Sequence, residues 1–455
     1  MIRQDEIALA RECIQYALEQ GASDIRITLT KSTEDLIATL DGEVDRVTHN
    51  ADRSMSIAIF VDGRFGSFSI NKLERQTLRD FIGRAIETVR MLAPDSFRKL
   101  PDPGRCCKTA ITGLELGTYD PAYSAITPED RRRIALDAAV SCHPEACCPL
   151  GRSEGSPSYR LISEEGEYSD SEYDVLLIDS RGLECRHLET SFDYGVEVTI
   201  EDAEGQKYSN YYWTSSALSG NFDPSDCGAE AVRRAAQQLG AAPAPSGRYN
   251  MIVSSDVASR LVSPLLNALN AYSIQQGNSF LAGSLGERVF SHGLSIVDEP
   301  WRKAESCSKL FDSEGVATEE APIIEGGRIC RYFVNTYMAG KMDIEPTIED
   351  AVRPRLLGWP SPDLDLEAII AMCGDGIIVT DFNGGNCNTA TGDFSYGITG
   401  LLIKDGVVVR PVNEMLITGN YLQLWKNLIA AGSDFRLCSP KLIGTLAFSD
   451  VDFSG

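Results

Sequence analysis

The sequence predicts an α+β protein in two domains. An amino-terminal α-β-β-β-β-α unit opens residues 1–240, and a Gly-rich, β-rich carboxy-terminal domain fills 247–455. Three observations carry this reading. The first ninety residues show one helical apolar period, four alternating ones and a second helical one, in that order. Residues 241–246 read Ala-Ala-Pro-Ala-Pro-Ser, a small, uncharged, Pro-rich linker. After it, short β segments are separated by frequent glycines. A length of 455 residues suits two or three domains.

Taken in order, Ile7, Ala10, Ile14 and Ala17 fall at helical spacing, and Gly21 follows as a stop. Ile25, Ile27 and Leu29 alternate, as do Leu36, Ala38 and Leu40, which predicts two strands. Met55 to Val61 alternates again. Asp62-Gly63 is a hairpin turn before a return strand from Phe65 to Ile70. A helix is expected from Leu73 to Met91. Residues 94–125 are irregular. Thr127-Pro128-Glu129-Asp130 combines an N-cap, a first-turn proline and a capping box for a helix to Val140. Tyr159 to Trp213 reads as strands with hairpin tips near Ser180–Gly182 and Asp202–Gly205. A helix from Pro224 to Leu239 precedes the linker.

Past the linker a strand, Met251 to Ser254, leads into Val257, Leu261, Leu265, Leu269 and Tyr272. These lie on one face of a helix that Pro264 is expected to kink or reset. Strands are expected at Leu294–Val297, Ile323–Val334, Gly376–Val379, Ile398–Ile403 and Val407–Val412. Lys404-Asp405-Gly406 turns between the last two. A helix from Tyr421 to Ala431 and a strand from Lys441 to Phe448 end the chain. There is no repeat at a fixed period.

Composition narrows the function. With 42 Lys+Arg against 66 Asp+Glu, the net charge is −24. Such a chain repels phosphate backbones unless it carries a basic stripe. The densest basic run, Arg131-Arg132-Arg133, sits among Glu129, Asp130 and Asp137 and reads as a solvated helix face. Direct nucleic-acid binding is therefore not expected. The amino terminus has no basic and apolar leader, and no apolar run nears the ~20 residues of a membrane helix. With 13 cysteines, an odd number, the expected setting is a reducing cytoplasm.

The usual catalytic constellations are not evident. The four histidines, His49, His143, His187 and His292, give no pair at helical spacing for zinc. Cys142-His143 with Cys147-Cys148 matches no standard zinc spacing, and these thiols, like Cys106-Cys107, read as packed or surface cysteines. Gly283-Ser284-Leu285-Gly286 fails the spacing of a serine nucleophile elbow. Cys387, in the Gly-rich run after Asn383, is a nucleophile only if a histidine lies beside it. No phosphate-binding loop is present. Asp298-Glu299, Asp312 and Glu314 read as solvated turns or caps.

The carboxy-terminal half nevertheless resembles the TldD/PmbA family. The resemblance rests on Gly277-Asn278-Ser279-Phe280-Leu281-Ala282-Gly283-Ser284-Leu285-Gly286-Glu287, followed by Leu294 to Asp298. It continues through Phe311-Asp312-Ser313-Glu314-Gly315-Val316, Thr336 to Ala339 and Thr391-Gly392-Asp393-Phe394-Ser395. Gly400 to Gly406, Pro411-Val412 and Gly419-Asn420 close the ordered set. The amino-terminal unit, with Gly42-Glu43-Val44 on a hairpin, also fits, so coverage is nearly the whole chain.

The resemblance implies two branches. TldD-like members look like zinc metallopeptidases, with His-Glu-x-x-x-His on the helix just after the linker strand. TldE (PmbA) members lack the motif and pair with a TldD-like chain. Here Leu261, Val262 and Leu266 fall where the motif would lie, which implies the TldE branch. The implied activity is proteolysis or maturation of small peptides by a TldD/TldE pair, this chain being non-catalytic. Zinc is expected only in the TldD-like partner. The family is also named for modulation of DNA gyrase, so a stand-alone peptide- or gyrase-binding protein, perhaps a homodimer, is the alternative. Leu281, Gly283, Gly286, Gly384, Gly385 and Gly392 are the candidates for peptide or subunit contact, through strand addition at Gly-rich edges. The other reading of these glycines is ordinary tight turns.

Overall fold

The computed structural model describes residues 1–142 and 159–455. The amino-terminal half contains α1 (Gln4–Glu19), β1 (Asp24–Leu40), β2 (Glu43–Val61), β3 (Arg64–Ile70), α2 (Arg75–Arg90), α3 (Pro128–Val140), β4 (Tyr159–Asp179), β5 (Glu184–Asp202), β6 (Lys207–Ser216) and α4 (Cys227–Ala236). The α+β class holds, but three strands stand where the hydropathy pattern predicts four. The polar stretch Lys31–Asp35 does not break β1, because both its neighbours continue beside it. Lys31 pairs with Arg53 of β2 and with Asp174 of β4, so its backbone groups stay bonded. The six strands form one antiparallel sheet in the order β3-β2-β1-β4-β5-β6.

Alternation along these strands decides which half of the molecule each side chain meets. Ile25, Ile27 and Leu29 pack with Leu176 and Ile178 under α1 and α2. Tyr168, Tyr194, Val196 and Val198 pack under α3 and α4. The intervening residues, Thr28, Tyr173, Val175, Leu177, His187 and Glu189, point to the other face. A one-residue slip would exchange the two sets. Thr127 caps α3 as expected, accepting from the Asp130 N–H while the Asp130 carboxylate accepts from the Thr127 N–H. Arg131 is not on a solvated face. It is buried and forks onto Asp170, at 2.7 and 2.9 Å.

Residues 241–246 have little regular structure. Arg410 fixes them to the second half by donating to the Ala242 and Pro243 carbonyls at 2.6 and 3.0 Å. That half contains β7 (Gly247–Val253), α5 (Ser255–Ala268), α6 (Ala271–Gln275), β8 (Ile296–Asp298), β9 (Ala321–Glu325), β10 (Arg328–Ile329), α7 (Thr336–Met342), β11 (Pro354–Leu356) and α8 (Leu366–Cys373). It ends with β12 (Gly376–Phe382), β13 (Asn386–Cys387), β14 (Asp393–Lys404), β15 (Val407–Asn420), α9 (Tyr421–Lys426), β16 (Leu428–Ala431) and β17 (Leu446–Ser454). A seven-stranded sheet closes on itself, because β12 pairs with both β7 and β14. A small sheet, β10-β9-β8-β11, lies apart from it.

Several boundaries differ from expectation. α5 runs through Pro264 and stops at Ala268, where Asn270 starts α6 by accepting from the Tyr272 N–H. The late helix stops at Lys426, and Leu428–Ala431 pairs with β17 instead. The final strand starts at Leu446 and not at Lys441. Asp298 is fully buried, accepting from the Val352 and Arg353 N–H groups at 2.9 and 2.7 Å, so it is a core anchor and not a solvated cap. Asp312 does sit in a turn, also largely desolvated. Among the described residues, no helix is long and apolar enough to cross a membrane. The Cys142-His143 cluster extends beyond the described residues.

Candidate functional site at the end of α5

α5 follows β7 directly and packs against the closed sheet. Val257, Ala258, Leu261, Val262, Leu265 and Leu266 are buried in the main core. Each buried Leu contributes roughly 1.5–3 kcal/mol, so this face is committed to packing. The end of α5 reaches a cleft between the two halves. Leu266 and Asn267 lie in its wall, and the cavity measures about 730 Å³. The outward face of β4 and β5 supplies Tyr173, His187 and Glu189. Loops of the second half supply Lys309, Asp312, Glu349, Asp350 and Lys441. A second cavity of about 530 Å³ adjoins it, sharing Asn267, Phe333, Glu349 and Asp350, and extends to Thr389.

The charges in the cleft are tuned by burial. Desolvation pushes the Asp312 carboxyl up from about 3.8 to about 6, against N–H donation from Val316, Glu314 and Glu349. Burial also raises Asp350, although Asn270 donates to it at 2.8 Å. At Glu189 burial pulls upward, but the His187 hydrogen bond at 3.2 Å and the nearby Lys309 prevail and hold it below the usual range. Acidic and basic groups thus line one concave, half-apolar space. Such mixed clefts between domains are common ligand sites.

The Asp312 shift has a measurable consequence. The folded carboxyl titrates near 6 and the unfolded one near 3.8, so between those values the unfolded chain binds fewer protons. Stability falls as pH rises through that window, and the loss is complete above it. Asp312→Asn removes this dependence. Between pH 4 and pH 7 the variant is expected to gain about 3 kcal/mol relative to wild type, a 2-unit shift at ~1.4 kcal/mol each. Urea unfolding of both chains at the two pH values checks it. An unchanged difference would refute the assignment.

Leu261, Val262 and Leu266 carry no donor atom, so α5 does not fit a zinc ion. Among the described residues no group of three His, Cys, Asp or Glu side chains is placed to hold a metal. Burial pushes the Cys387 thiol up to about 11 and raises the Cys307 thiol in the cleft, so both favour the protonated form.

The six predicted contact residues lie beside the cleft rather than in its wall. Leu281 is fully buried in the main core. Gly283 and Gly286 adopt positive φ in the loop that follows, with open space where a Cβ would stand. Gly384 and Gly385 link β12 to β13, and a Cβ on Gly385 would strike the Ser395 carbonyl at 2.1 Å. Gly392 abuts Phe280, whose N–H donates to Thr389 at 2.9 Å. The structure therefore joins the 280 loop to the 384–392 run, with Thr389 in the wall of the second cavity. His187, Glu189, Lys309 and Lys441 had no motif in the sequence. Of the cleft's acidic groups, only Asp312 stood within a recognised run.

Models of the PmbA/TldA metallopeptidase family match residues 26–89 as domain 1, 123–239 as the central domain and 246–455 as the carboxy-terminal domain. The chain belongs to the PmbA/TldD family. Metalloprotease PmbA of Escherichia coli O157:H7 is 25% identical over 453 residues, covering 98% of this chain and 96% of that protein. A solved Bacteroides thetaiotaomicron structure, named as a modulator of DNA gyrase, superposes with a TM-score of 0.92 at 36% identity and full coverage of both chains. TldE from Thermococcus kodakarensis has the same fold, with a TM-score of 0.77 at 18% identity over 98% of this chain and all of that one.

Proposed function

We propose that this chain is the TldE/PmbA-type, non-catalytic subunit of a cytoplasmic TldD/TldE metallopeptidase that degrades or matures small peptides. One observation carries the reading. The three positions of α5 that would hold the zinc ligands and the general base are aliphatic and turned into the core. Zinc-dependent hydrolysis needs side-chain ligands for the metal and a base for the bound water. In this assembly the TldD-like partner brings both, and this chain supplies surface and positioning. The cleft, with groups of both signs beside aromatic walls, suits the ends of a short peptide better than a nucleic acid.

The test is an affinity pull-down of the tagged chain from its native lysate, with mass spectrometry and zinc analysis of the eluate. A partner carrying His-Glu-x-x-x-His is expected near one-to-one, with zinc tracking that partner. Stoichiometric zinc in the isolated chain, or recovery of the chain only with itself, would overturn the proposal.

A further inference from the structure

Residues 105–118 form a strap between the two halves. On one side Arg186, Leu188 and Thr190 of β5 donate to Ala110, Gly113 and Thr118. On the other, Cys107 donates to Gly315, and Ala317 and Ala304 donate to Arg105 and Leu116. Two thiols meet where the strap crosses β5. Cys107 and Cys185 are buried, at 4% and 1% exposure, in one small core cluster with Leu177, Leu183 and Phe311. The Cys185 Sγ donates to the Cys107 carbonyl at 3.2 Å. Thr109 Oγ1 lies 3.5 Å from the Cys107 Sγ. Nothing in the subunit reading uses this pair.

We propose that Cys107 and Cys185 are a redox pair that closes to a reversible disulfide when the protein meets a peroxide. Polar groups surround the Cys107 sulfur: the Cys185 thiol first, then the Thr109 hydroxyl and the Thr109 and Ala110 N–H groups. They hold its pKa down to about 5, whereas the contact with Cys107 and then burial push Cys185 up. The asymmetry gives the two sulfurs different roles. The Cys107 thiolate attacks one peroxide oxygen. The O–O bond breaks, leaving a sulfenic acid and a hydroxide that takes a proton to become water. The Cys185 sulfur then attacks Cys107, the S–O bond breaks, and a second water leaves with the Cys185 proton. Two thiols and one hydrogen peroxide give one disulfide and two waters. The bond fastens the strap covalently to β5, behind the loop that carries Phe311 and Asp312.

The experiment uses the full chain treated with hydrogen peroxide, unfolded, alkylated and mapped without reduction. A Cys106→Ser background removes the neighbouring thiol, which would otherwise share a peptide with Cys107. One intramolecular crosslink between Cys107 and Cys185 is expected, reversed by dithiothreitol. The melting midpoint is expected to rise by about 5 °C in the oxidised chain, the order seen when a disulfide closes a long loop. In Cys185→Ser the sulfenic acid on Cys107 is expected to persist and react with dimedone, with no rise in midpoint. No crosslink at excess peroxide, or a crosslink through any other cysteine while Cys107 and Cys185 stay reduced, would overturn the proposal.

Discussion

Replacing Arg353 with methionine is expected to cost the carboxy-terminal half about 3–5 kcal/mol, the range for breaking one partner out of a buried ion pair. Arg353 is among the largest fully buried side chains of the molecule. Its guanidinium donates to the Ser306 carbonyl at 2.6 Å, to Leu437 at 3.0 Å and to Glu305 at 2.9 Å. Methionine fills similar volume but leaves these acceptors without a donor, and Glu305 retains only Arg302, at 2.6 Å. The segments it ties, 305–306 and 437–439, run straight into Cys307, Lys309 and Lys441 of the cleft. Arg353→Lys keeps the charge and loses the fork, so only partial recovery is expected. Urea unfolding measures both variants, and a loss under 1 kcal/mol for methionine would mean the network is slack.

Gly315→Val is the second large effect. Gly315 has φ of +82°, where a β-branched residue is strained by roughly 1–3 kcal/mol. There is also no room. A Cβ would lie 2.4 Å from Cδ2 of Leu183, in the β4–β5 turn, and 3.0 Å from Cδ2 of Leu177 on β4. Overpacking adds about 1–3 kcal/mol. The clash falls on the contact between halves, so the variant is expected to keep both cores yet open between them. Limited proteolysis should then cut the strap faster than in wild type. An unchanged cleavage rate would show that Leu183 and Leu177 move aside at little cost.

These residues mark the border of what the sequence discloses. Hydrophobic period and capping chemistry place α1, β3, α3 and the hairpins of the first sheet, because their signals are local. The run Lys31–Asp35 misleads, since its pairing partner β4 begins more than a hundred residues later. α7, α8 and β11 go unread because they are short and ordered by tertiary contacts. The family resemblance points to α5 and its missing ligands. The cleft itself draws on β4, β5 and four separate loops, and Lys441 meets His187 there only after both halves have folded. Arg353 looks like an ordinary surface arginine until Asp298, Glu305 and the 437–439 loop enclose it.

The closed sheet also constrains how the chain is made. β7 is the first strand of the second half and β17 the last, and they pair from Leu446 with Val253 to Phe453 with Gly247. Joining segments about 200 residues apart carries a closure entropy on the order of 5 kcal/mol, and such non-local pairing slows folding. During synthesis β7 and α5 emerge with no C-terminal strand to receive them. The carboxy-terminal half therefore closes only once β17 has been made, and until then the sheet beside α5 stays open.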